Sequence, residues 1–194
     1  MIFFCPTCPW VGDYNDKKSQ ENARKVRLAM NLAVNKKAII SGLWKGRGSE
    51  TPFSYFYNPF HKGYSTDWKI PPYDPERARK LLAQAGYPNG LDIKLYLAPD
   101  RYPKAREVCQ VIADQLRKAG VRTELVTQEF AIWWGPEGVN GGKLAFYYVG
   151  RPAVDADTLY EQYFRSGVTK RIQYKNPEFD KLIDQANSAR GEAD

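Results

Sequence analysis

The sequence predicts an α/β domain, and three observations point to that class. Residues 91–97 and 121–127 alternate apolar and polar side chains, as half-buried strands do, and a helical apolar stripe separates them. Residues 144–149 form an unbroken apolar run, which is typical of a central strand covered on both faces. Parallel strands joined through a helix take a right-handed crossover, so these segments predict one sheet with flanking helices.

The chain before this sheet is predicted to begin irregularly and then to become helical. Residues 1–20 show no periodicity beyond a strand stub, and residues 21–194 are predicted to form a single domain. A first helix carries an apolar stripe of Val26, Ala29, Met30, Ala33 and Val34. A second helix begins after Asn35, which can cap it. Residues 45–73 are rich in proline and aromatic residues and are predicted to be a long loop.

The next helix has both of its ends encoded in the sequence. Asp74 can accept from the free N–H groups, and Pro75 suits the first helical position, where its missing donor costs nothing. Gly86 can take the left-handed conformation that ends a helix. The face between these ends carries the apolar residues Ala78, Leu81, Leu82 and Ala85.

Two further helices are predicted around and after the sheet. One begins at Pro103, buries Cys109 in its apolar stripe and ends at Gly120. The other is capped by Asn176, starts at Pro177 and turns Phe179, Leu182, Ile183 and Ala186 inward. A short helix is predicted over residues 157–164.

Composition excludes several classes of protein. The 194 residues are 43% hydrophobic and 26% charged, as in ordinary globular domains, and none of their apolar runs is long enough to span a membrane. The N-terminus lacks the basic and apolar regions of a signal peptide. The net charge of +7 is concentrated in residues 1–120, which hold 20 Lys and Arg against 11 Asp and Glu. Solvated helix faces explain this excess better than an anionic partner does, and no nucleic-acid-binding motif accompanies it.

The residues that could carry chemistry are few. There is no nucleophile elbow, phosphate-binding loop or zinc-protease motif, and the only histidine, His61, lies in the aromatic loop. Cys5 and Cys8 have the spacing of a redox pair or half a zinc site, but a structural zinc site needs four ligands and only Cys109 and His61 remain to complete it. A short-loop disulfide or two unengaged thiols is the favoured interpretation. We therefore expect no catalytic residues, no metal and no cofactor.

Binding residues, in contrast, gather where a ligand crevice is expected. Ligands of α/β sheets bind at the carboxyl ends of the parallel strands. Arg101 and Tyr102 follow the first strand of the parallel pair, and Tyr148, Arg151 and Asp155 follow the central strand. Arginine offers a planar fork for carboxylates, and tyrosine offers apolar area with a polar tip. These five residues are the candidate ligand-binding site.

Five segments of the sequence resemble one known family. The run YDPERARKLLAQAGYPNG at 73–90 resembles a signature of the extracytoplasmic solute-binding proteins of peptide- and nickel-type ABC importers. Residues 24–48, 91–126, 146–164 and 174–189 are similar to further segments of that family, in the same order. The similarity covers roughly residues 17–189.

The resemblance implies a fold and a function. The fold is the type II periplasmic-binding-protein fold, with a mixed sheet and flanking helices. The chain would be its second lobe, truncated at both ends, with the first lobe absent. The function would be capture of a peptide- or oligosaccharide-like solute between two lobes for an ABC permease. The location would be periplasmic or extracytoplasmic, with the export signal outside this chain, and no enzyme activity or nucleic acid would be involved.

The resemblance also assigns roles to individual positions. Arg101 matches the arginine that pairs with the peptide carboxylate in dipeptide-binding members. The aspartate that holds the peptide ammonium group in those members falls at Pro152 here, which disfavours a free dipeptide because a buried ammonium needs a partner. Arg151 instead favours an anionic or carbohydrate-like solute. The alternatives are a stand-alone basic module that binds nucleic acid or an anionic ligand, and a small enzyme with an unrecognised site.

Overall fold

A computed structural model describes residues 2–3, 8–13, 15–50, 65, 67–141, 146–148, 160–168 and 175–189. Its strands are β1 (Ile2–Phe3), β2 (Leu91–Leu97), β3 (Val121–Thr127) and β4 (Phe146–Tyr147). Its helices are α1 (Lys17–Leu32), α2 (Lys36–Trp44), α3 (Pro75–Gln84), α4 (Ala105–Lys118), α5 (Phe130–Trp134) and α6 (Pro177–Ser188), with a π-helical turn at Tyr160–Phe164.

The sheet is mixed and has the strand order β1-β4-β2-β3. β2 and β3 are parallel over their whole length, in a register that runs from Leu91 opposite Val121 to Leu97 opposite Thr127. β4 lies parallel to β2 on its other side, and β1 is antiparallel to β4. The predictions of a parallel pair bridged by a helix and of a central third strand are confirmed.

The strands divide the core between two faces of the sheet. Successive side chains of a strand point to opposite faces. The alternate residues Leu91, Ile93, Leu95 and Leu97 pack with α1 to α4 in the larger cluster, while Tyr96 packs against a smaller one. Phe146 and Tyr147 divide in the same way. The four helices α1 to α4 therefore cover one face, and α5 covers the other.

Local capping chemistry fixes several helix ends where the sequence predicts them. The side-chain oxygen of Asp74 accepts from the backbone N–H of Arg77 at 2.9 Å, and Asn35 and Asn176 cap α2 and α6 in the same manner. Gly86 ends α3 with a φ of +98°, in the left-handed region. These four positions confirm that the ends of α2, α3 and α6 are encoded locally.

The starts of two helices differ from the prediction. α1 begins at Lys17, inside the segment predicted to be irregular, because the carboxylate of Asp16 caps it by accepting from Lys18. α4 begins at Ala105 rather than Pro103. Lys104 before it takes a left-handed φ of +54° that breaks the helical path.

The inward face predicted for α6 is only partly buried. Ile183 is buried and Phe179 is half-buried, whereas Leu182 is 58% exposed and Ala186 is exposed. Phe179 contacts the aromatic rings of the π-helical turn, and no described element covers Leu182. The prediction was wrong for these two residues because an apolar stripe shows which side chains share a face, but not whether a partner covers it.

The amino ends of the parallel strands are closed by a backbone contact and a salt bridge. Leu91 N–H donates to the carbonyl of Gly120 at 3.0 Å, and a Cβ added to Gly90 would lie 2.1 Å from that same oxygen. The guanidinium of Arg122 holds both carboxylate oxygens of Asp92, at 2.6 and 2.7 Å. Arg79 of α3 donates to the last-turn carbonyl of Lys118 at 2.6 Å.

The cysteines follow the sequence expectations where they are described. Cys8 is disulfide-bonded, whereas Cys109 is a free thiol within the larger cluster. Burial raises the pKa of Cys109 to about 12, so it stays protonated and behaves as a small apolar side chain. Among the described helices, none combines the length and apolar character that crossing a membrane requires.

Candidate functional site

The candidate site lies at the carboxyl ends of β2 and β4. The backbone N–H of Tyr148 donates to the carbonyl of Tyr96 at 3.0 Å, which extends the β2–β4 pairing to this end of the sheet. After β2 the chain turns through residues 98–104 before α4 begins. The turn is held by hydrogen bonds from Arg101 N–H to Ala98 and from Ala105 N–H to Tyr102. The predicted residues therefore leave neighbouring strands at the same edge.

Three of the five predicted site residues come together around one ring. The Tyr102 ring lies 6.0 Å from the Tyr148 ring in an edge-to-face arrangement, and the guanidinium carbon of Arg101 lies 5.9 Å from the Tyr102 centroid. Arg101 is exposed, whereas both tyrosines are half-buried. Arg151 and Asp155 lie outside the described residues, so their place in the site stays a prediction.

Aromatic rings of α5, which were not predicted from the sequence, lie next to these three residues. Phe130 lies under the guanidinium of Arg101 at 5.0 Å and stacks on Trp134 at 5.7 Å, with an angle of 18° between their planes. Trp133 is fully buried and touches the rings of Tyr102 and Tyr147 edge-on. We call the six residues Tyr102, Phe130, Trp133, Trp134, Tyr147 and Tyr148 the aromatic cluster.

A signal for α5 was present in the sequence. Residues 130–134 follow β3, which is parallel to β2, and the carboxyl-end rule therefore places them at the same edge as Arg101. Three of these five residues are aromatic. Five residues are too few to show a helical period, and so the segment gave no helix prediction.

The site presents one cationic side chain, Arg101, beside neutral hydrogen-bond donors. Arg101 makes no ion pair with any described acidic residue, and it is held by the Phe130 and Tyr102 rings instead. Burial, assisted by nearby Cys109 and Tyr102, raises the pKa of the Tyr148 phenol, which therefore stays neutral near pH 7. The indole N–H of Trp133 is buried without a hydrogen-bond partner. Such a surface can pair with a carboxylate and cover apolar or planar groups.

Two other features bear on what the site can hold. The part of the chain that the structure describes contains no cluster of three or more His, Cys, Asp or Glu side chains able to bind a metal. A cavity of about 1050 Å³ lies elsewhere, between residues 8–22, the end of α3 and the start of α6. Its lining contains none of the predicted site residues.

Comparison with known proteins gives a consistent result. Residues 9–170 match the model of the family described as "Bacterial extracellular solute-binding proteins, family 5 Middle". Heme-binding protein A of Haemophilus influenzae is 32% identical over 194 aligned residues, which cover 89% of this chain and 32% of the relative. The dipeptide-binding protein of Escherichia coli is 36% identical over 125 residues, which cover 63% of this chain and 22% of the relative.

A solved structure extends the likeness to the backbone. AgaA of A. tumefaciens R10, solved in complex with agropinic acid, superposes with a TM-score of 0.74 at 26% identity, over 94% of this chain and 38% of AgaA. The fold is that of the type II periplasmic binding proteins, as predicted. The chain spans about a third of the length of Heme-binding protein A and less of the dipeptide-binding protein.

Proposed function

Because this chain belongs to family 5 of the bacterial extracellular solute-binding proteins, we propose that it is the second lobe of the substrate-binding component of an ABC importer. In the whole protein this lobe would close on a first lobe, trap a solute between them and deliver it to a membrane permease. The protein would act in the periplasm or outside the cytoplasm. It would catalyse no reaction, since its family binds and transports solutes.

The observation that carries this proposal is the placement of Arg101. Its guanidinium is exposed at the carboxyl edge of the sheet, is held in place by the Phe130 and Tyr102 rings, and has no described acidic partner. An arginine left unpaired in this way keeps its charge and its planar fork for a ligand. We infer that Arg101, Tyr102 and Tyr148 contact the solute, together with Arg151 and Asp155.

The solute that this surface fits carries a carboxylate and an apolar or planar part. Haem and dipeptides, which appear in the names of two similar proteins, and agropinic acid, with which AgaA was solved in complex, all bear carboxyl groups. Arg101 would bind the carboxylate, while the neutral Tyr148 phenol would donate a hydrogen bond and the half-buried rings of the aromatic cluster would cover the remainder. Pro152 stands where dipeptide-binding members have an aspartate, so a modified or larger peptide-like or oligosaccharide-like solute fits better than a free dipeptide.

The alternative functions receive no support. The matching family and relatives are solute-binding proteins, which favours neither a nucleic-acid-binding module nor a small enzyme. The excess of basic residues is consistent with a nucleic-acid-binding module or with a small enzyme. However, it lies mainly on the helices α1 to α4, on the sheet face opposite α5.

Titration calorimetry and NMR of the 194-residue chain test the proposal. Suitable probes are the dipeptide Met-Leu, agropinic acid and maltotriose, each raised to about 10 mM. A single lobe surrounds only one side of a solute, so we expect millimolar dissociation constants, equivalent to about −4 kcal/mol. The amide shifts of Arg101, Tyr102 and Tyr148 should move first.

A matched pair of variants makes the test specific. Arg101→Gln should weaken the binding of carboxylate-bearing probes by about tenfold and leave maltotriose unchanged, because one charge-assisted hydrogen-bond pair is lost. Arg106→Gln removes the same charge from an exposed position in the first turn of α4 and should have little effect. Micromolar affinity of the isolated chain, or equal losses in both variants, would contradict the proposal.

A further inference from the structure

The outer faces of α1 and α3 form one continuous surface on the side of the sheet opposite α5. The two helices pack against each other in antiparallel directions. At one end the backbone N–H of Asp74 donates to the carbonyl of Leu32 at 2.8 Å. At the other end Ser19 and Asn22 of α1 line the same cavity as Ala85 and Tyr87 beyond α3. The side chains that point away from the core on both helices therefore share one face.

This α1–α3 face is strongly basic. Its exposed cations are Lys17, Lys18, Arg24, Arg77 and Lys80, and none of the five forms an ion pair with a described acidic residue. Two acidic side chains lie on these helices: Glu21 of α1, which Lys25 engages at 3.0 Å, and the exposed Glu76 in the first turn of α3. Burial, and next to it the like charge of Arg24, lower the pKa of Arg27. Cations therefore outnumber carboxylates on this face.

Two exposed aromatic side chains precede α3 in the chain. Trp68 and Tyr73 are each 40% exposed in the segment that leads into α3, with exposed Lys69 between them. Both rings therefore keep a large part of their surface open to solvent next to a cation. Tryptophan and tyrosine beside lysine and arginine are the residues that favour the boundary between a membrane and water, since the rings have an apolar body and a polar tip.

We propose that the α1–α3 face binds the headgroups of anionic phospholipids. The cations contact lipid phosphates, and the rings of Trp68 and Tyr73 sit at headgroup level. A lipid surface fits better than nucleic acid, because the cations are spread over two helices rather than gathered in a groove and the family is extracellular. Docking through this face leaves Arg101, at the carboxyl edge of the sheet, and α5, on the other face of the sheet, accessible to a solute.

Flotation of the intact chain with lipid vesicles tests this inference. Vesicles of phosphatidylcholine with about 30% phosphatidylglycerol are compared with pure phosphatidylcholine, at about 0.05 M and about 0.5 M salt. Partitioning should require the anionic lipid and fall steeply at high salt. The triple variant Lys69→Gln, Arg77→Gln, Lys80→Gln should lower it on the order of 100-fold, at about fivefold for each cation removed.

A control variant and a second readout keep the test specific. Lys94→Gln, Arg106→Gln, Lys181→Gln removes the same charge from exposed positions outside the face and should bind nearly as well as the unmodified chain. Brominated lipids should quench the fluorescence of the chain less in Trp68→Phe. Equal partitioning onto both vesicle types, equal losses in the two triple variants, or tighter binding to a random oligonucleotide at the same phosphate concentration would overturn the proposal.

Discussion

The two ends of the parallel strands differ in how their polar groups are used. At the amino end Arg122 holds Asp92, Arg79 caps α4, and Gly90 packs directly on Gly120. At the carboxyl end Arg101 lies over rings without an ion pair to any described residue, and the Trp133 indole N–H is buried unpaired. At the amino end of the sheet the polar groups are therefore paired within the protein. At the carboxyl end the Arg101 guanidinium lacks an ion pair with a described residue, and the Trp133 indole N–H lacks a hydrogen-bond acceptor. We infer that the first end serves stability and the second serves binding.

Gly90→Ala should give the largest effect and separate the two ends most clearly. The new Cβ would lie 2.1 Å from the Gly120 carbonyl oxygen, at a φ of +86°. We expect a loss of about 4 kcal/mol in the free energy of unfolding, measured by urea denaturation. Gly86→Ala is the matched control, since its φ is also positive but no atom lies within 4 Å of the added Cβ. It should lose only about 1–2 kcal/mol, and equal losses would show that the close approach is unimportant.

Arg101→Lys should do the reverse of Gly90→Ala: it should weaken ligand binding and leave the stability nearly unchanged. Lysine keeps the charge but lacks the planar group that stacks on Phe130 and binds a carboxylate in two places. The affinity for agropinic acid should fall about tenfold, while the unfolding free energy changes by less than about 0.5 kcal/mol. A clear loss of stability without a loss of affinity would assign Arg101 to the fold rather than to the site.

Trp133→Phe should have a small net effect on stability. The smaller ring leaves a gap that costs about 1–2 kcal/mol, but the variant also removes a buried donor whose desolvation costs a similar amount. The unfolding free energy should therefore change by less than about 1 kcal/mol. A loss above about 2 kcal/mol would mean that the indole N–H is satisfied and that the carboxyl end is as fully paired as the amino end.

Asp92→Asn should have the smallest effect, a small change in Tm that is visible only through its dependence on pH. Hydrogen bonds from Arg122 lower the pKa of Asp92, so ionised Asp92 stabilises the folded state above its unfolded pKa of about 3.9. That stabilisation is lost as the pH falls further, because the carboxylate is then protonated in both states. The Tm difference between the unmodified chain and the variant should close below about pH 4. Asp100→Asn removes a charge from an exposed carboxylate that forms no ion pair with a described residue and is the matched control.

The sequence predicted best the features that depend on neighbouring residues. The caps at Asp74, Asn35 and Asn176 are chosen by side-chain oxygens within three residues of the donors they satisfy, and they lie where expected. The strands β2 and β3 follow from alternation alone. Predictions that depend on distant partners did less well. The period of α6 marks Leu182 as apolar but cannot show that the residue is left uncovered.

The candidate site was predictable in part. The rule for the carboxyl ends of parallel strands predicts that Arg101, Tyr102 and Tyr148 lie at one edge of the sheet, and they do. Phe130 follows β3 at the same edge, but its short segment has no period that would mark it as a helix. The contact between the guanidinium and the Phe130 ring depends on how the turn after β2 faces α5, and local sequence does not determine that orientation. Arg151 and Asp155 stay predictions.

The unequal lengths of the strand pairings have a consequence for how the chain folds. β2, α4 and β3 are consecutive in sequence, and the two strands pair over seven residues, whereas β1 reaches β4 from the opposite end of the chain. Closing that long separation costs more chain entropy than closing the local unit. We expect residues 91–127 to form the folding nucleus and β1 to join last. Hydrogen exchange would then be slowest along β2 and β3, and the N-terminal strand would be the first to open.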